Sequence, residues 1–87
     1  MNDRALRYFL AVVRIGSVRA AAEALNVAAS AVSRHIIEME AEIGQPLLER
    51  LPRGVVPTEA GRVVAEHAMR QADERVVLVG RLPWELV

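Results

Sequence analysis

Three polar side chains, Ser30, Ser33 and Arg34, recur at intervals of three and four residues. On an α-helix this spacing places them on one face. Hydroxyl and guanidinium groups form hydrogen bonds with phosphate oxygens and with the edges of bases. Arg53 lies in the sequence Leu51-Pro52-Arg53-Gly54, whose proline and glycine suit a turn. These residue types indicate a surface that contacts phosphates and bases.

Length and composition restrict the class of protein. The 87 residues suffice for one small domain, and the sequence contains no cysteine for disulfides or thiolate metal sites. His35 and His67 are isolated from other candidate ligands, and we find no nucleophile paired with a base and no phosphate-binding glycine loop. We therefore predict no enzyme, no catalytic residue, no metal and no cofactor. The chain has no apolar run of membrane-spanning length, so we expect a cytoplasmic protein with no membrane partner.

The overall charge neither requires nor excludes a nucleic-acid partner. The formal net charge is zero, and all 11 basic residues are arginine. The position of the charge matters more than its sum for binding nucleic acid. Arginines accompany the segments described above, whereas Glu38, Glu40 and Glu42 form a separate acidic group that we interpret as a solvated face.

Hydrophobic periodicity predicts three helices in the first half of the chain. Asn2 or Asp3 can cap the first helix, Ser17 can cap a short second helix, and the third runs from about Ala29 to Ile43 before Gly44. The predicted buried positions are Leu6, Phe9, Leu10 and Val13 in the first helix, Val18, Ala21, Ala22 and Leu25 in the second, and Val32, Ile36, Met39 and Ile43 in the third.

The second half of the sequence predicts a hairpin and a long helix. Two short β-tolerant segments, residues 47–50 and 54–57, flank the turn that contains Arg53. Thr58 is a suitable N-cap for a fourth helix, which has Glu59 in its first turn. Pro83 would end any continuation, and the tail containing Trp84 has no period that we can assign.

The short second helix bears small side chains where it would cross the third. Ala20, Ala21, Ala22 and Ala24 would permit close approach, so that the third helix projects its polar face outward. That is the arrangement of a helix-turn-helix, whose second helix enters the major groove of DNA. A hairpin beside it would act as a wing, with Arg53 reaching the DNA backbone or minor groove. The predicted fold is mainly α: a winged helix-turn-helix of three helices and a two-stranded wing, followed by a long helix.

A set of short motifs covers about three quarters of the chain, in order and with few gaps. They are Leu6-Arg7-Tyr8-Phe9, Gly16-Ser17, Ala21-Ala22-Glu23-Ala24-Leu25, Ala31-Val32-Ser33-Arg34, Ile36, Met39-Glu40, Ile43-Gly44, Leu47-Leu48-Glu49-Arg50 and Thr58-Glu59-Ala60-Gly61. Taken together, these motifs resemble the DNA-binding domain of LysR-type transcriptional regulators.

The resemblance implies a sequence-specific transcription regulator that binds double-stranded DNA at an interrupted dyad in a promoter. It implies a homodimer, or a tetramer in a full-length protein, with a linker helix leading to a domain that senses a small-molecule inducer. We expect residues 1–58 to form the DNA-binding domain, residues 59–80 the linker and dimerisation helix, and residues 81–87 a tail or hinge. We interpret the sequence as a piece of a longer regulator; the alternative is a naturally truncated regulator. The implied DNA contacts are Ser30, Ser33, Arg34, Arg53, Arg19 and Thr58, the last two with phosphates.

Two positions depart from the family pattern. The family usually has Ser-Gln at the start of the third helix, where this chain has Ala28-Ala29. A hydroxyl cap and an amide that could bind a base edge are therefore missing. In the wing, Leu48 replaces a common phenylalanine, which changes the volume of the core.

The fourth helix carries an apolar stripe longer than a three-helix core can cover. Small and branched residues recur at spacings of three and four, which predicts a dimer interface. The alternative is that the helix folds back on its own wing. An alternative function is a winged-helix module that associates only with proteins. The predicted interface residues are Ala65, Ala68, Ala72, Val76 and Val79.

Overall fold

A computed structural model of the chain describes the backbone of residues 2–81 and the side chains of residues 2–73. Within this range the helices are α1 (Asp3–Ile15), α2 (Val18–Leu25), α3 (Ala29–Ile43) and α4 (Glu59–Arg81), and the strands are β1 (Leu48–Leu51) and β2 (Gly54–Pro57). This architecture confirms the predicted winged helix-turn-helix with a long final helix. Residues 82–87, which include Pro83 and Trp84, lie outside the described residues.

Side-chain caps begin three of the four helices. The Asn2 side chain accepts a hydrogen bond from Ala5 N at 2.8 Å, and Ser17 Oγ accepts one from Ala20 N at 3.1 Å. At α4 the predicted cap is confirmed, because Thr58 Oγ1 accepts from Gly61 N at 3.0 Å. The exception is α3, whose N-cap residue Ala28 makes no side-chain capping bond. The prediction that α3 has no side-chain cap, made from Ala28, is therefore confirmed.

Left-handed backbone conformations end the first three helices. Gly16 and Gly44 follow α1 and α3 with φ of 82° and 81°. Asn26 follows α2 with φ of 58°, a conformation that asparagine tolerates better than most residues. These residues fix the short connection from α1 to α2 and the turn between α2 and α3.

The core lies where α1 crosses the other helices. Its most buried large side chains are Phe9, Val12, Val32, Met39 and Leu47. The predicted core positions are either buried or, for Val13, Val18, Leu25 and Ile43, partly buried against the core.

The alanines of α2 have more varied environments than predicted. Ala21 and Ala22 are buried and provide the close approach to the neighbouring helices. Ala20 is half-buried, whereas Ala24 is exposed. The prediction for Ala24 is wrong because its position turns it away from the crossing, and an alanine-rich sequence does not reveal which of its alanines face the contact.

The wing is an antiparallel hairpin whose closing pair is Leu51 and Gly54. Pro52 and Arg53 therefore form a two-residue connection. The wing is attached to the turn after α1 by a hydrogen bond of 3.0 Å from Val55 N to Gly16 O. Gly54 has φ of 140°, and a Cβ there would collide with the carbonyl oxygen of Gly16. Glycine is thus required for this close approach.

Glu40 joins the end of α3 to the start of the wing. Its Oε2 accepts a hydrogen bond of 2.8 Å from Leu47 N. The side chain is half-buried, so the interpretation of Glu40 as part of a solvated face is wrong. Glu38 and Glu42 are exposed as expected.

The first turns of α4 belong to the core of the domain. Val64, Ala65 and Ala68 are buried in the same hydrophobic cluster as α1. Residue 58 is therefore not a packing boundary between a domain and a separate linker. Among residues 2–81, no helix is long and apolar enough to cross a bilayer.

The burial of Ala65 and Ala68 corrects two of the predicted interface residues. Each is only 5% exposed, so neither has appreciable surface left for a partner. Ala72 is exposed, and the side chains of Val76 and Val79 lie outside the described residues. Helical periodicity identified an apolar face of α4, but the first part of that face is covered by the chain itself.

Candidate nucleic-acid interface

The exposed side of α3 is the candidate recognition surface. Val32, Ile36 and Met39 face the core, and the opposite side carries four residues at spacings of i, i+3, i+4 and i+7. Ser30 and Arg34 are exposed, and Ser33 is half-buried. We call this set the recognition face: Ser30, Ser33, Arg34 and Ile37.

The packing of α2 determines how this face is presented. Buried Ala21 and Ala22 let α2 lie close to the core, and the left-handed Asn26 reverses the chain direction. Val27 N then donates to Ala22 O at 3.0 Å, which closes the turn before α3 begins. Small side chains and a tight turn therefore leave the recognition face uncovered by α2.

The wing lies beside the recognition face. A groove of about 80 Å³ separates α3 from the hairpin. Ser33 and Ile37 line its α3 side, and Arg50 lines its wing side. The structure therefore brings the predicted residue Ser33 close to an arginine that was not among the predicted contacts. Arg53 is exposed in the turn at the tip of the wing, as predicted.

Arg34 is available for a ligand. A helical arginine can instead pair with an acid four residues later, which here is Glu38. Both side chains are exposed, and the described part of the chain contains no ion pair between them. The guanidinium is therefore not held by this neighbour.

Thr58 is engaged within the chain, in contrast to the role implied by the family resemblance. Its hydroxyl donates to Pro46 O at 2.7 Å, and its backbone N–H donates to Leu47 O at 3.1 Å. Both donors are thus already used, and a phosphate offers only acceptors. A phosphate contact at Thr58 would compete with these bonds, and it stays a prediction. Arg19 is exposed on α2 and stays a predicted contact.

His35 packs beside the recognition face rather than in a metal or acid-base site. Its ring meets Tyr8 edge-to-face, with centroids 5.2 Å apart and an interplanar angle of 80°. Its Nδ1 atom is buried without a hydrogen-bond partner. Across residues 2–73, no group of three or more histidine, aspartate and glutamate side chains could hold a metal ion.

Two residues on this surface are not among the predicted contacts. Ile37 has no polar group that would indicate a contact, although its spacing from Ser30 and Ser33 places it on the same face. Arg50 was named only as part of the family resemblance. Its position beside Ser33 depends on how the hairpin docks against α3, which the local sequence does not determine.

Comparisons with known proteins agree with this geometry. The family described as "Bacterial regulatory helix-turn-helix protein, lysR family" matches residues 4–62. The nitrogen assimilation regulatory protein nac of Klebsiella aerogenes is 42% identical over 85 residues, which cover 94% of this chain. The chain spans 28% of the length of that relative.

Solved structures of DNA-binding domains have the same fold. One, of a BenM_DBD/catB site 1 DNA complex, has a TM-score of 0.81 and 38% identity and covers 93% of each chain. Another, of a CbnR_DBD-DNA complex, has a TM-score of 0.77 and 36% identity, covering 93% of this chain and 100% of that one. The match to the family over most of the chain and the shared winged helix-turn-helix show that this chain belongs to the LysR family of bacterial transcriptional regulators.

Proposed function

We propose that this chain is the DNA-binding part of a transcription regulator and that α3 is its recognition helix. The observation that carries the proposal is the uncovered recognition face, on which Arg34 is exposed and Ser33 shares a groove with Arg50 of the wing. Arginine can form paired hydrogen bonds with guanine, and serine can bond to bases or phosphates. A protein-association module would not require this placement of arginines.

The proposed contacts fall into two groups. Ser30, Ser33 and Arg34 face the major groove, where base edges differ and sequence can be recognised. Arg53 and Arg19 contact the backbone or minor groove, which supplies affinity for any duplex. The BenM and CbnR structures are complexes with DNA, which supports a DNA ligand for this chain as well. A regulator of this kind acts in the cytoplasm, where a bacterial chromosome lies.

A salt titration tests DNA binding. We expect affinity for random duplex DNA to fall steeply as salt rises, because arginines displace counterions from phosphates. A module used only for protein association would show no such binding. Arg53→Ala should lower affinity for all duplexes. It should also reduce the slope of the logarithm of the binding constant against the logarithm of salt concentration by about one.

Substitution of Arg34 tests the recognition helix. Arg34→Ala should weaken binding to a selected operator by about 1–3 kcal/mol while changing affinity for random duplex much less. Arg70→Ala is the matched control, because Arg70 is also an exposed helical arginine but lies on α4. Equal operator binding by Arg34→Ala and the parent chain, both folded by circular dichroism, would exclude α3 as the recognition helix.

We further propose that the chain dimerises through the later turns of α4 to bind an interrupted dyad. Asp3 and Ala72 line the same small groove between α1 and α4. Ala72 is exposed, whereas Ala68 and Ala65, one and two turns earlier, are buried in the core. By helical spacing, Val76 and Val79 share the face of Ala72. Two copies would place two recognition helices on one DNA site, and a full-length protein could form a tetramer and carry an inducer-binding domain.

Sedimentation of two variants tests the dimer. Ala72→Glu should shift the chain to a folded monomer that binds DNA more weakly and without dyad spacing. Val63→Glu is the matched control, since Val63 is 61% exposed and lies nine residues away, on the opposite side of α4. A parent chain that sediments as a monomer far above the concentrations needed for DNA binding would refute the proposed dimer.

A further inference from the structure

The recognition face contains one large apolar side chain. Ile37 is 62% exposed, although isoleucine is among the residue types most often buried. It lies at the i+7 position relative to Ser30 and one turn beyond Ser33 and Arg34. Recognition helices can contact bases from residues spaced i, i+3, i+4 and i+7, as homeodomains do. Ile37 therefore occupies a position from which a side chain can reach a base.

Part of the surroundings of Ile37 is apolar. Ile37 borders the groove between α3 and the wing, whose other apolar lining residues are Ile36, Leu48 and Val55 and whose polar ones are Ser33, Glu40 and Arg50. The polar residues of the recognition face lie N-terminal to it. Docking of DNA against Ser33 and Arg34 would bring the floor of the major groove close to Ile37. The Ile37 side chain has no hydrogen-bonding group, so any contact that it makes with a base is apolar.

We propose that Ile37 determines part of the operator sequence by packing against the C5-methyl group of a thymine in the major groove. This methyl is the apolar feature that the groove displays and that distinguishes thymine from the other bases. The inference rests on the proposed DNA-binding function of the recognition face. It assigns to that face a preference for thymine beside the bases contacted by Ser33 and Arg34.

Replacement of thymine with deoxyuridine tests the contact, because it removes the methyl and keeps base pairing intact. The operator is first selected from a random duplex library with the full chain, and each thymine of the consensus is then replaced singly. We expect one replacement to weaken binding about fourfold, which corresponds to the loss of one buried methyl group. In Ile37→Ala the same replacement should change affinity less than about twofold, since the smaller side chain buries less of the methyl.

Val63→Ala is the matched control, because Val63 is a similarly exposed branched residue on α4. It should keep the full effect of the deoxyuridine replacement. A consensus without a methyl-sensitive thymine, or an equal effect in Ile37→Ala and the parent, would overturn the role of Ile37. In those cases, salt-dependent DNA binding that is weakened by Arg34→Ala would still support the proposed function. Absence of any duplex binding would instead overturn the proposed function and this inference together.

Discussion

Restoring the missing cap of α3 should stabilise the domain. The other three helices begin with a side-chain oxygen that accepts a hydrogen bond from the residue three positions later. Ala28 has an extended backbone, with φ of −70° and ψ of 140°, so serine could adopt its conformation. In Ala28→Ser the new Oγ would accept from Ala31 N. That N–H already donates to Ala28 O at 3.1 Å, so the gain should be smaller than for an unpaired donor.

We expect Ala28→Ser to raise the free energy of unfolding by about 0.5–1 kcal/mol, the lower part of the range for N-caps. For a domain of this size, this corresponds to a melting temperature about 2–8 °C higher. The assay is thermal unfolding followed by circular dichroism, without DNA and at one protein concentration. Ser17→Ala is the matched variant in the opposite direction, since it removes the existing bond to Ala20 N and should lower stability by about 1 kcal/mol.

The two variants together make the test decisive. A lower melting temperature for Ser17→Ala with no increase for Ala28→Ser would show that the start of α3 gains nothing from a side-chain cap. No change in either variant would show that capping does not contribute to the cooperative unfolding of this domain.

Two further predictions concern the connections around Leu47. Gly61→Ala should destabilise the domain by about 1–3 kcal/mol in urea unfolding, because a Cβ at Gly61 would collide with the backbone carbonyl of Leu47; helix propensity alone predicts stabilisation by about 1 kcal/mol, so a gain would refute the clash. Glu40→Ala should cost about 1–2 kcal/mol by leaving Leu47 N without its partner, whereas the exposed control Glu38→Ala should change stability by less than about 0.5 kcal/mol. Equal effects of the two glutamate substitutions would contradict the role of Glu40.

The sequence predicts the helices and the wing well because their signals are local. The i, i+3, i+4 pattern of Leu6, Phe9 and Leu10 identifies the buried face of α1, and Thr58 lies where a cap for α4 is needed. Local signals also predicted the exposure of Arg34 and the position of Arg53 in a turn. Each of these features depends on residues only a few positions apart.

Other features depend on contacts between distant parts of the chain. The Thr58 hydroxyl donates a hydrogen bond to Pro46 O, twelve residues away. A phosphate contact would compete for the same hydroxyl proton. Glu40 is half-buried and accepts a bond from Leu47 N, whereas Glu38, two positions earlier, is exposed. Periodicity grouped Ala65 and Ala68 with Ala72, but it could not indicate that the first two are buried in the core. A pattern identifies a face of a helix, whereas tertiary structure decides what that face contacts.

The packing of α4 has a consequence for how two copies would be arranged on DNA. Its first turns are buried with α1, and the turn after α1 holds the wing through the bond between Gly16 O and Val55 N. α1 also contacts α3 through Tyr8 and His35. In the proposed dimer, the later turns of α4 would therefore join two units in which helix, wing and recognition face are already fixed relative to one another. The separation of the two half-sites would then depend on how two copies of α4 pair. Substitutions at the proposed dimer interface should therefore alter the preferred dyad spacing without changing the sequence of each half-site.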